Sequence, residues 1–211
     1  MYVITADQVD SRLTTDAAAG ALETITREHG DNLVLPPDRT AGDEIQALTD
    51  DPATAYRLTL LLTRDGRWSV GLGIGAVRRP LGDSTRASTG EAFFAARAAI
   101  DAAKRNPTRF ALRTEGGEGA EGTSENALRP EDVEALVALV LALREKRTDK
   151  GWEVHDLLEA GSTQAEAAGA LGITQGAVSM RARTGSSREE FAASEAIVRL
   201  LATLHEDTTN G

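Results

Sequence analysis

Cysteine is missing from all 211 residues. Its absence excludes disulfides, thiolate metal centres and thiol nucleophiles at once, and it suits a reducing cytoplasm. Histidine occurs three times, scattered, so a structural zinc site has no ligand set to draw on. No apolar run reaches the roughly 18 residues that a membrane-spanning helix needs. The opening residues Met1-Tyr2-Val3-Ile4-Thr5-Ala6-Asp7 have no basic region and no long apolar stretch, so no signal peptide is expected and the expected location is the cytoplasm. Neither a Gly-x-Ser-x-Gly elbow nor a P-loop is present. A basic excess is missing too. Lys and Arg number 23 against 33 Asp and Glu, a net charge of −10, which argues against a surface that grips nucleic acid everywhere. A small local face remains open.

Apolar residues make up 41% of the chain, enough for real cores and against wholesale disorder. The length allows one large domain or two small ones. The sharpest change in composition falls at residues 114–128, with four Gly and four Glu and almost nothing to bury. That segment reads as a self-repelling linker, because unstructured loops of this length are uncommon inside compact domains. Net charge is −5 on each side of Leu128, so charge does not separate the halves, but periodicity does. Residues 1–113 mix short β-like runs with helical patterns, whereas 129–211 are helical nearly throughout.

In the first part, Tyr2–Ala6 suits a buried strand with Asp7 at its end, and Thr14–His29 has helical spacing with Gly30 as stop. Leu33–Leu35 reads as a strand ended by Pro36-Pro37. Asp51-Pro52 signals a helix start, predicting a helix over 53–63, with a hairpin through Asp65-Gly66 as the competing reading. Trp68–Val77 alternates strictly, with Gly71, Gly73 and Gly75 on one face, so it is a strand approached closely by a helix, a backbone or a ligand, and not a dinucleotide loop. Glu91–Lys104 is an Ala-rich helix and Arg109–Leu112 a closing strand. The alternation predicts a mixed domain of strands and helices.

Three carboxylates carry chemical interest there. Asp7 lies just past a buried strand, and Asp43 and Glu44 follow Gly42 as in a tight turn between strands. Neighbouring strands lie about 4.8 Å apart, so strand-end carboxylates can meet, and Mg²⁺ commonly takes one or two carboxylates together with substrate phosphates. A nucleotide–metal site is one reading of this trio; three ordinary turn acids is the other.

The second part predicts five helices. The first starts at Pro130-Glu131-Asp132 and the second covers Gly151–Ala160. Ser162 or Thr163 caps the third, with Glu166 placed for a capping box, and Gly172 stops it after Leu171. Thr174 caps the fourth, Gln175 to about Arg183, and the fifth begins at Ser187. Ala168 is small where two helices would cross, and Leu171, Ile173 and Val178 would pack the corner. This is the pattern of a helix-turn-helix, whose second helix enters the major groove. No acidic residue occurs from Ala167 to Arg188, while Arg181, Arg183 and Arg188 do. Thr163, Gln164, Thr174, Gln175, Gly176, Ser179, Arg181 and Arg183 are therefore the expected contacts to double-stranded DNA: Gln can read adenine, and Arg, Ser and Thr can hold bases or phosphates. A helical hairpin that packs or binds protein is the alternative. Of the histidines, His29 and His205 are expected at helix ends, and His155 as an ordinary surface or core residue. Trp68 and Trp152 read as core anchors.

Four blocks in order, Thr5-Ala6-Asp7-Gln8-Val9-Asp10-Ser11-Arg12, Gly42-Asp43-Glu44-Ile45-Gln46-Ala47-Leu48, Val70-Gly71-Leu72-Gly73-Ile74-Gly75 and Gly90–Ile100, followed by Leu171-Gly172-Ile173-Thr174-Gln175, make the whole chain resemble the SatD family of bacterial proteins. The first half is also similar to nucleotidyl cyclase and GGDEF-type domains. That resemblance implies an α+β protein: an N-terminal ferredoxin-like, cyclase-like α/β sandwich (residues 1–113), then an all-α helix-turn-helix domain (residues 129–211). It implies Asp7 and Asp43 as a metal pair for Mg²⁺ with Glu44 nearby, and Ser11, Arg12 and Gly42 at a bound nucleotide. Ala41 and Ile45 depart from the GGDEF signature, and no counterpart of the base-selecting or transition-state residues of cyclases is found. Binding is thus expected rather than turnover. The leading expectation is a homodimeric DNA-binding transcriptional regulator with a nucleotide-sensing domain. A metal-dependent cyclase or phosphotransferase and a protein-interaction adaptor are the alternatives.

Overall fold

The computed structural model describes residues 1–10, 16–40, 42–114 and 127–210. It is a mixed α+β protein with one five-stranded mixed sheet. Among the described residues no helix is long and apolar enough to cross a membrane. The chain forms two compact units, residues 1–138 with 197–211, and residues 139–196. These bounds differ from the division read at 114–128, most of which lies outside the described residues.

In the first unit the strands are β1 (Tyr2–Gln8), β2 (Leu35–Arg39), β3 (Glu44–Thr49), β4 (Trp68–Ile74) and β5 (Phe110–Thr114), in the spatial order β2-β3-β1-β4-β5. All pairs are antiparallel except β4–β5, which is parallel. The parallel pair is joined through helix α3 (Glu91–Ala103), as a parallel crossover requires. Helix α1 (Ala18–His29) follows β1, and α2 (Pro52–Thr63) follows β3. Asp51 caps α2 by accepting from the Ala53 and Thr54 amides, which resolves the helix-or-hairpin alternative in favour of the helix.

The glycine alternation in β4 is explained by α3. A Cβ on Gly73 would lie 2.2 Å from the Ala92 carbonyl oxygen and the Ala96 amide nitrogen, and one on Gly71 would lie 2.4 Å from the Ile100 nitrogen. The helix backbone occupies the space of the missing side chains. Val3, Leu48, Ala92, Phe93 and Ala96 form a buried cluster. The alternate residues of β1 point the other way, where the Gln8 side chain accepts from the Ala17 amide at 2.9 Å, ahead of α1.

Strand β2 corrects the sequence reading. It does not stop at Pro36-Pro37 but runs through both, with a register shift between Leu35 and Asp38. It is the outermost strand, where a residue without an amide hydrogen removes no ladder bond from the sheet. The opposite edge, β5, meets Glu134, whose carboxylate accepts from the Leu112 amide at 2.8 Å and the Arg113 guanidinium at 2.7 Å. The Tyr2 hydroxyl donates to the Leu201 carbonyl at 3.0 Å. Glu134 and Leu201 belong to the helices α4 (Pro130–Glu145) and α8 (Ser187–Asn210). His205, expected at a helix end, lies inside α8 with its ring 5.2 Å from that of Tyr2.

The second unit holds α5 (Asp149–Glu159), α6 (Gln164–Leu171) and α7 (Gln175–Thr184), with the remaining turns of α4 and α8. Its apolar core is Val154, Ala167, Ala168 and Val178, with Leu157, Leu158, Leu171, Ile173 and Ala182 packed around it.

Candidate functional site

Helix α6 begins where the sequence places it. Thr163 accepts from the Glu166 amide at 3.2 Å, and the Glu166 carboxylate accepts from the Thr163 amide at 2.8 Å, closing a reciprocal capping box. These bonds, first the one from the Thr163 amide, hold the Glu166 carboxyl below the usual carboxylate range. Gly172 ends α6 in the left-handed region, φ 63° and ψ 33°, which a side chain would strain. Thr174 then caps α7 by accepting from the Ala177 amide at 3.1 Å. Buried Ala168 and Val178 close the corner from either side.

That corner leaves one face of α7 open. Thr174, Gln175, Gly176, Ser179 and Arg183 are exposed, as are Thr163 and Gln164 at the start of α6. Arg181 behaves differently. It is half-buried, and its Nη1 lies 3.3 Å from the Glu153 carboxylate of α5. The acid-free window of the sequence thus receives one acid from the preceding helix, and that acid takes up Arg181.

Behind this face lies a buried ionic cluster that sequence reasoning missed. Glu190 of α8, 1% exposed, pairs with Arg144 and, at 2.5 Å, with Arg147 Nη2. Arg147 also donates to the Gly185 carbonyl from Nε and Nη2, at 2.9 and 2.7 Å. Both guanidinium groups lie over the Trp152 ring, 4.7 and 4.3 Å from its centroid. His155 is fully buried, with Nδ1 3.2 Å from Ser187 Oγ and its ring stacked on Phe191 at 5.1 Å. Burial brings its pKa down to about 4, with Arg147 and Arg144 acting the same way and Glu190 and Asp156 against it. Residues from α4, α5 and α8 are fixed together beside the end of α7. Single helical patterns carry no signal for such a meeting.

In the first unit, Asp7 stands opposite Glu44 in β3 and Ser69 in β4. The Asp7 carboxylate is 3.1 Å from Lys104 Nζ, and Glu44 is 2.9 Å from Arg97 Nη1. Glu44 also accepts from the Thr40 hydroxyl at 2.6 Å. Gly42, at φ 63°, sits in the turn between β2 and β3 and its carbonyl accepts from Arg39 Nε. Asp43 lies half-buried in the same turn. Ser11 and Arg12 lie outside the described residues. Among the described residues no group of three or more His, Asp or Glu is gathered as a metal-ion site. Both carboxylates already carry a cation, so this donor set fits a salt-bridged face better than a metal centre.

A cavity of about 530 Å³ opens elsewhere in this unit. Gly20, Ala21 and Thr24 of α1 with Ala17 just ahead of it form one wall, Leu61 and Leu62 of α2 another, with Trp68 and the charged residues Asp16, Arg64, Asp65 and Arg67 around it.

No family model matches this chain, and no match is found among curated proteins or solved structures.

Proposed function

We propose that this chain is a DNA-binding transcriptional regulator in which α6 and α7 form a helix-turn-helix and α7 enters the major groove. The observation that carries the reading is the α6–Gly172–α7 corner with Thr174, Gln175, Ser179 and Arg183 exposed on α7. Capping at both helix starts holds two short helices that would otherwise be marginal. The exposed side chains are of the kind that hydrogen-bond to base edges and phosphates. The chain's acidity repels DNA from the rest of the surface and concentrates binding on this face. One such unit reads only a short half-site, so a homodimer is the working form.

The first unit is the sensing domain in this proposal. Antiparallel strands in the order β2-β3-β1-β4, with helices after β1 and β3, support a ferredoxin-like reading. The cavity between α1 and α2, apolar on its walls and charged at Asp16, Arg64, Asp65 and Arg67, has the size and character of a site for a nucleotide. Mg²⁺ at Asp7 and Glu44 competes with Lys104 and Arg97 for the two carboxylates. Turnover is not part of the proposal.

A mobility-shift titration against a selected duplex tests it. Gln175→Ala and Arg183→Ala should each weaken binding by about 1–3 kcal/mol. Unchanged binding by both variants at low salt, or capture of a protein with no duplex retained, would leave the adaptor reading standing instead.

A further inference from the structure

The exposed face of α7 contains one residue whose chemistry does not match its neighbours. Met180 is 56% exposed, while Val178, two positions earlier, is fully buried in the core. At about 100° per residue, Met180 lies about 40° beyond Gly176, next to the arc of Gln175, Ser179, Arg183 and Gly176, and on the side of α7 away from Val178. Long helical side chains lean towards the residue four positions earlier. For Met180 that residue is Gly176, which has no side chain; a Cβ added there would meet only Thr174 Oγ1, at 3.9 Å. Gly176 therefore puts no side chain beside Met180 on that side of the helix, which stays open to whatever lies against α7. Among the described residues Met180 is not one of those packed on the core of the second unit, so packing there gives this large flexible apolar side chain no role.

We propose that Met180 is a specificity residue that reads thymine methyl groups in the major groove. The proposal rests on the DNA-binding reading above and deepens it. A thymine presents its C5 methyl in the major groove beside the hydrogen-bonding edge of its paired adenine, and apolar side chains make contact with that methyl. Met suits this role because it is unbranched and polarisable. Gln175, also exposed on α7, has the amide that pairs with adenine N6 and N7. Together they select A·T pairs in the half-site. The absence of acidic residues from Ala167 to Arg188 is the charge complementarity that brings a duplex, rather than an apolar protein groove, to this side chain.

The test uses the full chain and a duplex selected from a randomised library. Each thymine is replaced in turn by deoxyuridine, which removes only the methyl. At one or two positions wild-type affinity should fall by about fourfold, the worth of one buried methyl-sized group. Met180→Ala and Met180→Gln should bind more weakly and show no further loss on the same replacement, with melting temperatures unchanged. Duplex binding that is insensitive to every deoxyuridine, or a deoxyuridine loss of equal size in the variants, overturns the role of Met180 and leaves DNA binding intact. No duplex enriched by the wild-type chain overturns both.

Discussion

Asp7 and Glu44 face each other directly across the β1–β3 ladder, and each ends on its own cation, Lys104 at 3.1 Å and Arg97 at 2.9 Å. Like charges opposite one another in a sheet repel, and the two basic side chains offset that repulsion. They also decide how the pair treats a divalent ion. Lys104→Ala should raise Mn²⁺ affinity by about threefold to tenfold, the effect of removing one partly exposed charge. Electron paramagnetic resonance titration of free Mn²⁺ measures it directly. Equal affinity in both proteins means that Asp7 and Glu44 do not converge on a metal.

Gly73 tests the close contact of α3 with the sheet. Adding a methyl in Gly73→Ala forces it to within 2.2 Å of backbone atoms of Ala92 and Ala96, which no rotamer can relieve. The cost should reach about 3 kcal/mol or more, the upper end for overpacked cores. Gly169→Ala is the control: nothing lies within 4 Å of the new carbon, and the position is exposed on α6. Urea unfolding should show the first variant strongly destabilised and the second equal to or above wild type.

His155 gives the second unit a defined acid sensitivity. Its folded pKa of about 4 lies below the ordinary 6.5 because burial disfavours the imidazolium, helped by Arg147 and Arg144. Between those two values the unfolded chain holds a proton that the folded chain does not. Stability is therefore full above pH 6.5, falls as pH drops through that interval, and levels off below about pH 4. The total loss should approach about 3 kcal/mol. Chemical denaturation followed by Trp152 fluorescence, in a Trp68→Phe background, should show this slope. His155→Gln should remove it, and an unchanged slope in that variant assigns the sensitivity to another group.

Arg183 and Arg181 separate what the sequence showed from what only the fold shows. Both lie in the acid-free window, but Arg183 is exposed and Arg181 is held by Glu153 at 3.3 Å. Arg183→Ala should weaken duplex binding by about 1–3 kcal/mol, and Arg181→Ala by less than about 1 kcal/mol. Glu153→Gln should strengthen it, because a repelling charge is removed and Arg181 is released. Fluorescence anisotropy at low and moderate salt distinguishes the three. A larger loss from Arg181→Ala than from Arg183→Ala would reverse the assignment.

The same contrast marks how far the chain could be read beforehand. Local chemistry was legible: Thr163 with Glu166, Gly172, Thr174 and Asp51-Pro52 set their helix ends within a few residues of one another in sequence. The alternate glycines of β4 announced a close neighbour because a missing Cβ at every second position has few other uses. Features made by tertiary meeting were not legible. Pro36-Pro37 reads as a break until β2 is known to be an edge strand. Within the Ala-rich helix read over Glu91–Lys104 nothing singles out Arg97 or Lys104, and their pairing with Glu44 and Asp7 depends on how α3 lies across the sheet. Glu190, Arg144 and His155 come from three helices and Arg147 from the turn between α4 and α5, and no spacing within one helix links them.

Gly176 offers the sharpest separation of folding from binding. It occupies an exposed position in the first turn of α7, its φ is not positive, and a Cβ there would meet only Thr174 Oγ1 at 3.9 Å. The fold therefore has no use for a glycine at this point, and helix propensity favours alanine by up to about 1 kcal/mol. In Gly176→Ala the melting temperature should rise by a few degrees, as a gain of that size produces. If the first turn of α7 lies against duplex DNA, the added methyl should at the same time weaken binding by about fivefold or more, because backbone contact leaves little room for it. A variant that is both more stable and a poorer binder cannot be explained by damage to the structure. Higher stability with unchanged binding would remove Gly176 from the interface and turn the docking of α7 towards its Arg183 end.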